Sequence, residues 1–134
     1  MATKVFINLP VKDLSRSKLF FEDIGFRFNP QFADVNVTCM MICNGVYVML
    51  LTEPYFQSFT DKKISDAREA TEVLITLDAA SKEEISALVN KAKSLGAKVC
   101  RKPLDYGWMY QHSFADLDGH QWEFTYIDEM QLPC

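Results

Sequence analysis

The feature that most constrains this fold is a pattern of elements that occurs twice along the chain. In the first copy, apolar residues alternate from Val5 to Val11, which predicts a strand. A helical stripe follows an N-cap signal at Asp13-Leu14-Ser15 and stops at Gly25. Further strands are predicted over residues 26–32, 35–43 and 46–52. The first copy is therefore β-α-β-β-β.

The second copy repeats this order after a polar stretch. Residues 72–77 predict a strand, and Ser81-Lys82-Glu83-Glu84 forms a capping box for a helix that ends at Gly96. Strands are then predicted over residues 97–101, 108–115 and 121–127. Val11 and Leu77 are separated by 66 residues, as are Ser15 and Ser81, which indicates a duplicated module.

The turns and the boundaries agree with this duplication. Asn44-Gly45 and Asp118-Gly119 are hairpin dipeptides at equivalent places in the two copies. We expect a single domain over residues 1–134, built from repeats 5–52 and 72–127 with a linker at 53–71. A short helix is predicted near residues 62–67 of that linker.

Composition excludes several classes of function. The chain of 134 residues is 49% hydrophobic and 24% charged, as in a globular protein that has a core. Its net charge of −4 argues against nucleic acid and membrane surfaces as partners. No apolar run is long enough to span a membrane and no signal peptide is evident, so we expect a cytoplasmic protein.

The four cysteines predict thiols rather than disulfides. Cys39 and Cys43 would be about 13 Å apart in a strand, which is too far for a bridge. Reduced cysteines fit a cytosolic protein.

Three motifs carry a resemblance to a known family. They are Val11-Lys12-Asp13-Leu14-Ser15-Arg16-Ser17, Phe20-Phe21 with Gly25-Phe26, and Asp116-Leu117-Asp118-Gly119-His120-Gln121-Trp122-Glu123. With the doubled module, the sequence resembles the vicinal oxygen chelate superfamily, which includes glyoxalase I, bleomycin-resistance proteins, fosfomycin-resistance enzymes and extradiol dioxygenases. The resemblance implies an α+β fold in which two tandem βαβββ modules form a cupped mixed sheet.

The resemblance also implies where a divalent metal would be held, by up to four side chains from four strands. Carried over to this sequence, the ligand positions are Phe6, Leu50, Glu72 and Glu123. The internal repeat would shift the second position to Met49. Neither His112 nor His120 falls at a ligand position, as a dioxygenase would require. No cofactor is therefore firmly predicted, and Glu72 and Glu123 offer at most an incomplete site for a weakly bound divalent metal.

The same mapping predicts a cup that holds a small molecule. The residues predicted to line it are Phe6, Asn8, Leu50, Leu74, Gln111, Ser113 and Thr125, with Thr76 on the same wall. An apolar pocket with a few polar groups is typical of a ligand site. The alternative is a mixed face that a dimer partner covers. Likewise, Glu72 and Glu123 either form a functional carboxylate pair or lie on a wet sheet face.

Two functions follow as hypotheses. The first is binding or sequestration of a small ligand without a complete metal site. The alternative is a lyase or isomerase of the glyoxalase type that acts on a small carbonyl compound, with Glu123 as general base and Glu72 assisting. We expect a homodimer in either case, because the open sheets of this superfamily commonly bury surface against a second copy.

Overall fold

The computed structural model describes residues 1–131, so the expectation for Cys134 lies outside the described residues. The chain forms two compact units, Met1–Ile64 and the residues from Ser65 onward. Each unit contains one β-α-β-β-β module with its own four-stranded mixed sheet. The predicted fold class and the tandem modules are confirmed. None of the described helices is long and apolar enough to cross a membrane.

The first unit is built on a sheet with its first strand at one edge. Its elements are β1 (Val5–Val11), α1 (Leu14–Asp23), β2 (Arg27–Asn29), β3 (Val37–Cys43), β4 (Val46–Thr52) and α2 (Glu53–Gln57). The strand order is β1-β4-β3-β2, in which β1 runs parallel to β4 and the other pairs are antiparallel. Pro10 fits in β1 because an edge strand can lack a backbone N–H.

The core of the first unit lies on the face of the sheet that α1 covers. Phe20 and Phe21 of α1 are buried, as are Leu9 and Val11 of β1. Phe6 is 52% exposed, because strand side chains alternate between faces. The alternation predicted for β1 is confirmed, and it leaves one face of this sheet open.

The second unit repeats this arrangement. Its elements are β5 (Leu74–Asp78), α3 (Lys82–Ser94), β6 (Leu104–Asp105), β7 (Met109–Ala115), β8 (Gln121–Ile127) and a closing 3-10 turn at Glu129–Gln131. The strand order is β5-β8-β7-β6. Trp122 and Phe124 of β8 are buried on the side of α3, and the Tyr110 hydroxyl lies 3.2 Å from Ser86 Oγ of that helix. The predicted orientation of β8 toward the helix is confirmed.

Several predicted boundaries were wrong. The strand predicted over 26–32 ends at Asn29, because Pro30 lacks an N–H and the Asn29 side chain caps a 3-10 turn at Pro30–Phe32. The helix predicted near 62–67 is absent, and the helix of this stretch is instead α2, with Pro54 in its first turn. The strand predicted over 97–101 is reduced to an isolated bridge between Lys98 and Ala115.

The strand predicted over 72–77 begins two residues later, at Leu74, and this changes the alignment of the two modules. The helix N-caps are Asp13 and Ser81, which are 68 residues apart rather than 66. The sheets agree with this spacing, because Asn8 pairs with Met49 in the first unit and Thr76 pairs with Glu123 in the second. The spacing of 66 overlooked a two-residue insertion in the second module.

Cys39, Cys43 and Cys100 are free thiols. Burial raises the pKa of the Cys39 thiol, which keeps it protonated within the core.

Candidate functional site

A cavity of about 450 Å³ lies on the open face of the first sheet. Residues of β1, β3 and β4 contribute to it, together with the segment after β2 and the region of α2. The lining residues are Phe6, Asn8, Gln31, Phe32, Ala33, Asp34, Val37, Met49, Leu51, Tyr55 and Phe59. This volume is within the range of about 300–1,000 Å³ that is usual for small-molecule sites.

Two of the predicted cup residues line this cavity. Phe6 and Asn8 project from the face of β1 opposite to the buried Leu9 and Val11. The Phe6 ring stacks on Tyr47 of β4, with ring centroids 5.2 Å apart. The stacking fixes the Phe6 ring at one side of the cavity.

Leu50 does not line the cavity, so its prediction as a ligand-contacting residue was wrong. Its side chain is fully buried on the other face, where it pairs in register with Leu9. Met49 occupies the open face and lines the cavity. A shift of one residue along a strand moves a side chain to the opposite face of the sheet. The position given by the internal repeat was the right one.

Sequence analysis missed the aromatic and acidic side chains at the rim. Phe32 and Asp34 belong to the segment between β2 and β3, and Tyr55 and Phe59 belong to the stretch interpreted as a linker. Tyr55 and Phe59 meet edge to face, with centroids 5.0 Å apart. Their spacing of four residues, one helical turn after Pro54, was the available signal for this contact.

Glu123 is the centre of a polar cluster on the second sheet. Its Oε2 accepts hydrogen bonds from Gln111 Nε2 at 3.0 Å and from Thr76 Oγ1 at 3.1 Å. Its Oε1 accepts one from Gln121 Nε2 at 3.3 Å. Glu123 is half-buried, and all three donors are neutral. The carboxylate is thus held in one orientation while part of it remains accessible.

Glu72 does not occupy the strand position from which its pairing with Glu123 was predicted. It is exposed and precedes β5 by two residues. The parallel register of β5 and β8 places Thr76 beside Glu123 and places Leu74 beside Gln121. With the spacing of 68 residues, the counterpart of Phe6 is Leu74. The strand register therefore replaces the predicted carboxylate neighbour by a hydroxyl.

The other predicted cup residues of the second unit lie on the same face as Glu123. Ser113 pairs with Glu123 across the antiparallel β7–β8 ladder, and Gln111 pairs with Thr125. His112 points to the opposite face, where its Nε2 lies 3.1 Å from the Arg101 carbonyl oxygen. Its contact is to the backbone, as the prediction of a satisfied histidine requires.

The hairpin that delivers Glu123 is fixed by a buried aspartate. Asp116 accepts hydrogen bonds from Trp122 Nε1 at 3.0 Å and from the backbone N–H groups of Asp118 and His120 at 2.9 and 3.0 Å. Burial raises the pKa of Asp116, while the nearby His120 and the Trp122 hydrogen bond lower it. His120, expected to support the turn or lie on the surface, is buried. This network sets the start of β8.

Comparisons with known proteins agree with this architecture. Residues 3–43 match the family model described as bleomycin resistance protein-like N-terminal. The solved structure of hypothetical protein SA1046 from S. aureus is 32% identical, with a TM-score of 0.82, over 94% of this chain and 95% of that one. A glyoxalase-related enzyme from Fulvimarina pelagi is 20% identical, with a TM-score of 0.77, over 94% and 88% of the two chains. This chain belongs to the vicinal oxygen chelate superfamily.

The superfamily also includes a more distant structural match of known name. The fosfomycin resistance protein FosX from Listeria monocytogenes is 20% identical, with a TM-score of 0.67, over 94% of this chain and 93% of that one. At this identity the likeness concerns the fold alone. No curated protein matches the sequence significantly.

The residues at the superfamily's metal positions do not fit a divalent ion. With the register observed here, these positions are Phe6 and Met49 in the first unit and Leu74 and Glu123 in the second. Three of the four side chains lack an oxygen or nitrogen ligand, and the oxygens of Glu123 already accept three hydrogen bonds. Among residues 1–131, no group of three or more His, Cys, Asp and Glu side chains is placed to hold a metal.

Proposed function

We propose that this protein binds a small organic molecule in the cavity on its first sheet and sequesters or carries it without a complete metal site. The observation that supports this is the lining of the cavity. Apolar and aromatic side chains predominate, and a few polar groups, among them Asn8, Gln31 and Asp34, can orient a ligand.

The exposure of the aromatic rings supports the same proposal. Phe6 is 52% exposed, Phe32 is 55% exposed and Phe59 is 69% exposed, although all three line one cavity. Large apolar side chains that are exposed together commonly mark a binding surface. A ligand seated among these rings would remove their surface from water and gain binding free energy.

A fragment screen followed by NMR tests this function. Small organic fragments should shift the amide resonances of the residues that line the cavity. Met49→Trp should abolish these shifts because the indole fills the space between β1 and the rim. Met49→Leu, which conserves volume, should retain them. The proposal fails if no fragment perturbs the lining, or if Met49→Trp binds the same fragments equally well.

A second function is supported by the geometry around Glu123. Three neutral side chains hold this half-buried carboxylate in place, and no lysine or arginine hydrogen-bonds to it among the described residues. A carboxylate in such a setting can take a proton from carbon next to a carbonyl group. Under this alternative, the protein is a lyase or isomerase that acts on a small carbonyl compound, with Glu123 as general base.

A further inference from the structure

We propose that the cavity on the first sheet takes an organic cation, a compound with a tertiary or quaternary ammonium group. This inference rests on the proposed function, because it names the chemical class of the ligand for that cavity. Two independent features of the lining support it: a set of aromatic rings from separate segments, and a single charged side chain, which is acidic.

The aromatic rings come from four places in the first unit. Phe6 lies on β1, Phe32 ends the 3-10 turn, Tyr55 lies in α2 and Phe59 follows that helix. The face of an aromatic ring carries partial negative charge and attracts cations, and alkylated ammonium groups are recognised in this way by aromatic cages. Tyr55 and Phe59 already contact each other edge to face, which presents their rings in different directions.

The acidic group is Asp34. Its Oδ1 accepts hydrogen bonds from the backbone N–H groups of Asn36 at 2.7 Å and Val37 at 3.2 Å. Within the described residues, the bonds to this carboxylate go to Oδ1, so Oδ2 can accept from a ligand. The turn thus fixes a negative charge at the rim of the cavity.

The charge balance of the lining selects among ligand classes. No lysine, arginine or histidine is present among the described residues that line the cavity. An anionic ligand would meet Asp34 without a compensating cation, and a neutral ligand would gain little from that charge. A bare metal ion needs several oxygen ligands, whereas the lining offers one carboxylate among aromatic rings. An alkylated ammonium group satisfies both features at once.

Three probes of one shape test the inference. Choline, 3,3-dimethylbutan-1-ol and 3,3-dimethylbutanoate place a cationic, a neutral and an anionic group on related skeletons. Each is titrated into the full chain while the amide resonances of the cavity are followed by NMR. We expect choline to bind about tenfold more tightly than the alcohol, as cation–π contacts combined with a carboxylate can provide, and the carboxylate probe to bind weakest.

Variants assign the preference to the named groups. Asp34→Asn keeps the Oδ1 acceptor and hence the turn, and it should lower choline affinity to that of the alcohol while alcohol binding stays unchanged. Asp23→Asn, an exposed aspartate at the end of α1 that does not line the cavity, removes the same charge and should have no effect. Phe59→Leu should weaken choline more than the alcohol.

The outcomes separate this inference from the function on which it rests. If the three probes bind the cavity equally, or the anion binds best, the cation inference is overturned and the small-molecule function stands. If fragments bind but choline does not, the result is the same. If neither fragments nor probes perturb the cavity, both proposals fail.

Discussion

Glu123 and Asp34 are the two carboxylates on the open sheet faces whose surroundings suggest a role, and their settings differ. Glu123 is held through both oxygens by neutral side chains on its own sheet. Asp34 is held through one oxygen by the backbone of a turn. The first arrangement fixes a carboxylate that could accept a proton, and the second leaves an oxygen for a charged ligand. Each role can therefore be tested by a substitution that keeps the shape of the side chain.

The alternative role of Glu123 predicts proton abstraction from a small carbonyl compound. In D2O, the wild-type protein should accelerate exchange of the C–H protons of dihydroxyacetone, followed by proton NMR. Glu123→Gln should reduce this acceleration by about 10²-fold or more, because it removes the base. Asp78→Asn serves as the control, because Asp78 is an exposed carboxylate on the same strand as Thr76. Equal rates for wild type and Glu123→Gln would exclude Glu123 as the base.

At the scale of elements, the hairpin between β7 and β8 depends on one glycine. Gly119 has a φ of +92°, and a Cβ at this position would lie 2.7 Å from the Arg68 N and 2.9 Å from the Ala67 carbonyl carbon. These are backbone atoms, so they cannot move aside as a flexible side chain can. Gly25, at the end of α1, has a φ of +111° but open space around the same position.

The two glycines form a matched pair for a stability measurement. Gly25→Ala should lower the free energy of unfolding by about 1–2 kcal/mol, the cost of a left-handed backbone for a residue with a Cβ. Gly119→Ala should lower it by at least about 2 kcal/mol more, because strain and a backbone collision combine. Urea denaturation of both variants measures the difference. Equal losses would mean that the 67–68 segment moves away from the hairpin at little cost.

At the scale of the whole molecule, we propose that the chain forms a homodimer. Val5 on β1 is 52% exposed and Leu74 on β5 is 50% exposed, and both strands lie at the edge of a sheet. Exposed apolar edge strands are prone to association, and native proteins commonly cover them. A second copy would cover these residues in a closed, symmetric arrangement.

Sedimentation velocity tests the assembly. The wild-type chain should sediment with about twice the mass of one chain, and Leu74→Lys should shift it toward the monomer. Leu104→Lys is the control, because Leu104 is also exposed, at 43%, but lies on β6 at the other edge of the same sheet. A wild-type chain that remains monomeric at high concentration would contradict the proposal.

The sequence by itself determined the features that depend on local chemistry. Apolar alternation predicted β1 and β8 at their observed boundaries, Asp13 and Ser81 were evident as N-caps, and Gly45 and Gly119 marked the hairpins. These signals were sufficient for the doubled module and hence for the fold class. They act over a few residues, so they can be interpreted without knowing what packs against them.

Only the tertiary structure decided which side chains share a site. The register of β5 against β8 placed Thr76, not Glu72, beside Glu123, and the pleat of β4 placed Met49, not Leu50, on the open face. Register is set by pairing between distant segments, and an error of one residue reverses a side chain's face while an error of two changes its neighbour. The cavity needed Phe32, Asp34, Tyr55 and Phe59 from segments without sequence periodicity, and only the folded chain brings these to one place.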